Sequence, residues 1–313
     1  MGNHDTPRHR GTENSFGFSQ CLGAPVCWIR WVTLIFALFL PGSASAQLAS
    51  PNKAGVSMGH LHYAVKDIEA NKRFWVALGG TSFVGGDGTL AMVKFPDVVI
   101  VLTQSESSGG TEGSVVNHVA FRVQTFAAVE AAGLKVARLA NFPGVGSTMT
   151  PEGERIELFE NAALNLTFTQ DAGYQDTMAD RHNHPLTIPV AFHHIHLYVP
   201  AGKVAEAKAW YTKMFGGVPG KRSNYDAVDL PGVNFNFSEA PKPTVPLKGR
   251  MLSHIGLEVE NLEAFCRKLE SLGVTFDVPY KKDGRFDGAV LTDPWGTQIS
   301  LTDGLRVLAS ARR

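Results

Sequence analysis

A chain of 313 residues is long enough for about two domains, each able to bury its own core. Its composition is that of an ordinary globular protein, 44% hydrophobic and 19% charged, with a formal net charge of zero. That balance excludes an electrostatic drive toward nucleic acid or an anionic membrane surface and leaves small molecules as the default partners.

The N-terminal stretch reads as a targeting segment. Arg30 precedes an apolar run from Trp31 to Leu40, which Pro41-Gly42 breaks, and Ser43-Ala44-Ser45-Ala46 then supplies a small-x-small cleavage pattern. The spacing predicts a secretory signal over residues 1–46, cut after Ala46, and an exported mature chain, periplasmic or secreted. The apolar run falls short of the roughly 20 residues that span a bilayer, so no stable membrane span is expected after cleavage. Cys21 and Cys27 leave with the signal. Cys266 then stands alone in Leu262-Glu263-Ala264-Phe265-Cys266-Arg267-Lys268-Leu269, where Leu262, Phe265 and Leu269 predict a buried helix-face position.

The first patterned stretch of the mature chain is Gly59-His60-Leu61-His62-Tyr63-Ala64-Val65. This alternation predicts a strand with His60 and His62 on one face and Leu61, Tyr63 and Val65 on the other. Asp67 is placed to cap a helix that Gly79-Gly80 ends, and strands follow at Thr81–Val84, Thr89–Phe95 and Val98–Thr103. A second unit has the strand His118–Val123, the helix Phe126–Ala132, strands near Lys135–Leu139 and Ser147–Thr150, and a last strand through Ile156-Glu157-Leu158. Residues 171–190 lose periodicity and read as a linker. A third unit repeats the first, with strand His194–Val199, helix Val204–Phe215 ending at Gly216-Gly217, and strands near Asp226–Leu230 and Val233–Ser238. A fourth repeats the second, from His254–Val259 through helix Leu262–Leu272 to Asp293-Pro294-Trp295-Gly296 and Ile299-Ser300-Leu301.

The offset from His60 to His194 nearly matches those from His118 to His254 and from Val101 to Asn236, as a duplication requires. Each strand-helix-three-strand unit has one helix and cannot cover both faces of its strands. One face takes the helix; the other meets a partner sheet or a ligand.

These residues resemble the vicinal oxygen chelate superfamily, which includes glyoxalase I, extradiol dioxygenases, fosfomycin-resistance enzymes and bleomycin-binding proteins. The likeness rests on Gly59-His60 with Val65 and Asp67, on Phe74-Trp75, His118, Pro151-Glu152-Gly153 with Ile156-Glu157-Leu158, and Asp293-Pro294-Trp295-Gly296. It implies an α+β fold of four βαβββ modules in two tandem domains, 58–170 and 191–306, each a pair of curved mixed sheets around a cleft, with the helices outside. It also implies a divalent metal, Fe2+, Mn2+, Zn2+ or Ni2+, on residues from the first and last strands of paired modules.

With pairing within each half, the N-terminal cleft has His60, Val101, His118 and Glu157, a set of two histidines and one carboxylate. The C-terminal cleft has His194, Asn236, His254 and Ser300, no carboxylate, and reads as a degenerate site. Other pairings occur in the superfamily; if the first unit faced the fourth, His60 would meet His254 and Ser300 instead. His62, on the face of His60, is a candidate acid/base group and Arg122 a candidate anion clamp. His193 is expected to face away from His194.

The expected function is that of a metal-dependent dioxygenase, lyase or isomerase acting on a small molecule with vicinal oxygens, possible as a homodimer. The competing reading is a metal-independent protein that sequesters a small molecule. Val101 stands where a standard glyoxalase I carries a second carboxylate.

Overall fold

The structure is a computed structural model, and it describes residues 47–85, 90–161, 167–174, 183–282 and 287–311. The expected signal segment, and residues 175–182 of the expected linker, lie outside the described residues. Among the described residues no helix is long and apolar enough to cross a membrane.

Four modules follow one another. The first is β1 (Val56–Val65), α1 (Ile68–Ala77), β2 (Thr81–Gly85), β3 (Leu90–Phe95) and β4 (Val98–Gln104). The second is β5 (Val116–Val123), α2 (Phe126–Ala131), β6 (Ala137–Arg138), β7 (Val145–Met149) and β8 (Arg155–Glu160). A short β9 (Phe168–Gln170) leads to the third, β10 (Val190–Val199), α3 (Val204–Phe215), β11 (Val218–Arg222), β12 (Tyr225–Leu230) and β13 (Val233–Glu239). The fourth is β14 (Leu252–Val259), α4 (Leu262–Ser271), β15 (Phe276–Lys281), β16 (Asp287–Thr292) and β17 (Gln298–Asp303), and a last helix, α5 (Leu305–Ala311), closes the described chain.

Local chemistry accounts for the boundaries. The Asp67 carboxylate accepts from the Ala70 amide at 2.9 Å and caps α1, while Gly216, in the left-handed region at φ 68°, ends α3. Three elements escape the sequence reading. β11 contains Pro219-Gly220, residues that argue against a strand, and it survives near a sheet edge between β12 and the three-residue β9. The helix α5 follows directly on β17 without a polar connector.

The strands form two mixed sheets, β15-β16-β17-β14-β1-β4-β3-β2 and β6-β7-β8-β5-β10-β13-β12-β11-β9. The first joins modules one and four through antiparallel β1 and β14; the second joins modules two and three through antiparallel β5 and β10. Each sheet therefore takes one module from each half of the sequence, rather than following the tandem halves 58–170 and 191–306. Residue alternation fixes which face of a strand is buried, but the four leading strands offer much the same backbone edge, so the pattern does not choose their partners.

Leu61, Tyr63 and Val65 point into a single apolar core together with Phe74 and Trp75 of α1. That core joins the two sheets: Phe95 of the first lies 4.9 Å from Phe121 of the second, and Trp75 lies 5.9 Å from the same ring. The helices pack on this apolar side, and the histidines occupy the opposite face of each sheet. Cys266 is buried on α4, and burial pushes its thiol up to about 11, which keeps it an unreactive packing residue.

Modules three and four are pinned where the Tyr211 hydroxyl donates to the Asp293 carboxylate at 2.9 Å. Asp293 also accepts from the amides of Trp295 at 3.0 Å and Thr297 at 2.7 Å, which fixes the Asp-Pro-Trp-Gly turn. Tyr211→Phe removes one donor to a buried carboxylate and is expected to lower unfolding free energy by about 1–2 kcal/mol, measured by urea denaturation.

Candidate metal centre

In the second sheet, the small residue Ala120 sits between two functional side chains. Its Cα pairs with His194 on one neighbouring strand and with Glu157 on the other. Both side chains rise over Ala120, and His118, two residues earlier on the same strand, meets them there. The His118 Nε2 atom lies 2.9 Å from Glu157 Oε2 and 3.1 Å from His194 Nε2, and His194 Nε2 lies 3.6 Å from the same carboxylate oxygen.

These distances test whether a metal fits. With bonds of roughly 2.1 Å, adjacent ligands are roughly 3.0 Å apart around an octahedral ion and roughly 3.4 Å around a tetrahedral one. Two imidazole nitrogens and one carboxylate oxygen on a triangle with sides of 2.9, 3.1 and 3.6 Å match one face of such an ion. Asn236 lies in the same cleft; its side-chain nitrogen is buried with no hydrogen-bond partner among the described residues, while its oxygen accepts from Arg222 Nε at 3.2 Å.

The ionisation states suit metal binding. Burial pulls the His194 imidazole well below its usual range, with the Arg222 charge adding to the effect. Burial also lowers His118, against the opposing pull of Glu157. Burial raises Glu157, but the hydrogen bond from His118 and the charges of Arg155 and Arg222 outweigh it, leaving the carboxyl below its ordinary value. At neutral pH the set is two neutral imidazoles and one carboxylate, the forms that ligate metals.

Surrounding groups orient the rings. The His118 Nδ1 atom is 2.6 Å from Asn117 Oδ1 and 2.9 Å from Arg155 Nη2, and the His194 Nδ1 atom is 2.8 Å from His193 Nδ1. His193 was expected to face away, but a register shift between Phe192 and His194 turns it beside its neighbour. His196 bonds Ser238 at 2.7 Å, with its ring 5.1 Å from that of His118. Arg222 is only 3% exposed, and its guanidinium lies 5.8 Å from the Phe159 ring and 5.9 Å from that of Tyr225. Burial brings it down to about 10, still cationic at neutral pH.

The first sheet repeats the plan with different chemistry. Gly256 takes the place of Ala120, flanked by His60 and Ser300 on neighbouring strands. The cleft there has a volume of about 260 Å³ and is lined by His60, His62, His254 and Ser300 among apolar residues.

The structure thus brings together His118 and Glu157 but not His60, which lies in the other sheet 3.3 Å from Ser300. His194, expected to be a relic, stands where His60 was expected. The cause is the crossed pairing of modules: β5 pairs with β10, so the carboxylate of β8 serves the leading strand of the third module. His62 belongs to the cleft of His60, bonded to Thr103 at 2.9 Å. Arg122 donates to Asn161 at 2.7 Å and to the His184 carbonyl at 3.1 Å, so it ties down residues near 184 instead of facing the carboxylate cleft. His194 and Arg155 had sequence signals, the first in the repeated His-x-His of β1 and β10, the second in its alternation with Glu157. Arg222 had none, since its strand was not legible.

Comparisons with known proteins agree with this architecture. A family model described as Glyoxalase/Bleomycin resistance protein/Dioxygenase superfamily matches residues 191–301. Among solved structures, glyoxalase I from Zea mays is similar at 16% identity and a TM-score of 0.56, over 81% of this chain and 94% of that one. A dioxygenase candidate from Bacillus subtilis is similar at 13% identity and a TM-score of 0.54, over 82% and 86%. No curated protein sequence matches. Residues 191–301 thus match the Glyoxalase/Bleomycin resistance protein/Dioxygenase superfamily, and the same module recurs through both sheets.

Proposed function

We propose that the chain is a divalent-metal-dependent enzyme whose working centre is His118, His194 and Glu157, acting on a small anionic molecule with adjacent oxygens. The observation that carries this reading is the triangle of donor atoms at 2.9, 3.1 and 3.6 Å. When bound, the metal would supply Lewis-acid chemistry, polarising substrate oxygens at positions the protein leaves open. The chain's own residues do the rest. Arg222 and Arg155 bring two cations to the centre, which favours a substrate that arrives as an anion. Phe159 and Tyr225 flank Arg222 and offer flat apolar walls suited to a planar or aromatic body.

The reaction is a dioxygenation, a lyase step or an isomerisation. The test is metal-reconstituted protein screened with catechols and α-ketoaldehyde adducts while O2 uptake is followed. Turnover that depends on added metal supports the reading. Absence of stoichiometric metal from the protein, with turnover insensitive to chelators, sinks it.

A second reading, a metal-independent sequestering protein, draws support from Arg222, whose buried cation already partly offsets Glu157. It requires ligand binding that survives metal removal and Glu157→Gln. Export of the mature chain is part of the proposal, and N-terminal sequencing of protein recovered outside the cytoplasm should begin at Gln47.

A further inference from the structure

The first cleft holds a second constellation, on which the proposed function makes no call. We propose that His60, His62 and His254 form a second metal site of all-nitrogen type, taking Zn2+ or a similar borderline ion, with an open position toward the apolar cavity. Its third ligand, His62, lies outside the first- and last-strand positions that hold metal in the superfamily. Those positions here read His60, His254, Val101 and Ser300, with no carboxylate among them.

The geometry supports three histidines and not two. One ring nitrogen from each lies within 4.8 Å of the others. The ring centroids of His62 and His254 are 4.5 Å apart, and those of His60 and His254 are 5.5 Å apart. Closing to the roughly 3.4 Å edges of a tetrahedral zinc site needs the donors to move inward by about an ångström, within reach of small χ rotations.

Each ring is already oriented by a hydroxyl on one nitrogen. His62 Nε2 is 2.9 Å from Thr103 Oγ1, His254 Nδ1 is 3.0 Å from Ser253 Oγ, and His60 Nε2 is 3.3 Å from Ser300 Oγ. Such outer partners are what ligating histidines ordinarily carry. The other nitrogen of His60, Nδ1, is fully buried with no hydrogen-bond partner among the described residues. His60 lies so close over Gly256 that a Cβ there would come within 2.1 Å of the ring, so this position suits only glycine.

Burial holds His60 down to about 3 and His62 down to about 4, so both are neutral ligands across the ordinary pH range. The cavity lining holds no carboxylate or guanidinium among the described residues. An ion here keeps its full charge and draws a hydroxide or small anion as fourth ligand, as three-histidine zinc sites do. Leu90, Met92, Val101 and Leu305 wall the cavity, and α5 covers it with Leu305 and Ala309 packed on Val101 and Leu48. A small, mostly apolar chamber over an open metal position suits a compact neutral or singly charged molecule.

The experiment is a Co2+ titration of the full, metal-stripped chain, followed by absorbance and by total metal analysis. The expected result is two equivalents, one of them giving the intense visible bands of four-coordinate cobalt. Both His62→Ala and the milder His62→Asn should remove those bands and one equivalent. Glu157→Gln should remove the other equivalent and keep the bands. Circular dichroism on each variant confirms that it is folded. The proposal is overturned if wild type takes up no four-coordinate cobalt, or if the bands persist in folded His62 variants, which would mean an adventitious ion or one held by His60 and His254 alone. A wild-type chain that gives the bands but takes up no Glu157-dependent equivalent would count against the proposed function and leave this site standing.

Discussion

Glu157→Gln is expected to weaken divalent-metal binding in the second cleft by at least about 100-fold and to abolish metal-dependent turnover, since loss of even an outer-shell partner costs 10–100-fold. The amide keeps the size of the side chain, so the effect isolates charge. It removes the only carboxylate among the three donors and leaves Arg155, 3.7 Å away, and buried Arg222 facing a cation without compensation. Isothermal titration with Mn2+ or Zn2+ measures the loss. His60→Gln is the control that separates the two pairings of modules. It should leave this equivalent intact, because His60 lies in the other sheet. Should His60→Gln abolish the Glu157-dependent equivalent, the crossed arrangement would be refuted.

Acidification should destabilise the metal-free protein progressively from about pH 6.5 downward, above the pH at which paired carboxylates usually fail. His60, His62, His194, His196 and His254 are all held strongly below their ordinary value of 6.5 by burial, to about 3 for His60 and about 4 for His62. In the unfolded chain they protonate near 6.5. The unfolded state therefore binds more protons throughout the window from 6.5 down to the folded values. Stability is complete above pH 6.5 and is lost as the pH falls. At pH 5 holding His60 and His62 neutral costs about 2 kcal/mol each. His194, His196 and His254 act in the same direction. Far-UV circular dichroism along an acid titration reads the transition. Saturating Zn2+ should shift it downward, since the metal binds neutral imidazole and competes with the proton. A chain that keeps its native spectrum to pH 4 without metal would contradict this account of the buried histidines.

Much of the fold was legible in the residues. Alternation in His60-Leu61-His62-Tyr63 gave the strand and the identity of its two faces, and the caps at Asp67 and Gly216 gave helix ends that the structure keeps. The site was legible as a kind and not as a set. Two histidine strands and a carboxylate were evident, yet Glu157 had two first-strand partners to choose between, His60 and His194. What decides between them is which backbone edge β5 meets, a long-range choice that leaves no periodic trace. Arg222 was missed for a local reason: Pro219 and Gly220 mask the strand that carries it.

The crossed arrangement of modules has a consequence for how the chain reaches its final state. Contacts nest like brackets. His118 meets His194 across 76 residues, whereas the His62 carbonyl meets Ser253 across 191. The extra loop entropy of the outer closure is under about 1 kcal/mol, so the difference is one of order and time more than of stability. During synthesis the inner sheet has all its strands once residue 239 has emerged. The first module is made earliest and waits longest, its β1 edge unpaired and its histidines open to water until β14 and β17 arrive. A chain halted after the third module would carry a complete carboxylate cleft beside half of a histidine one, and the strand made first would be the last to find its partner.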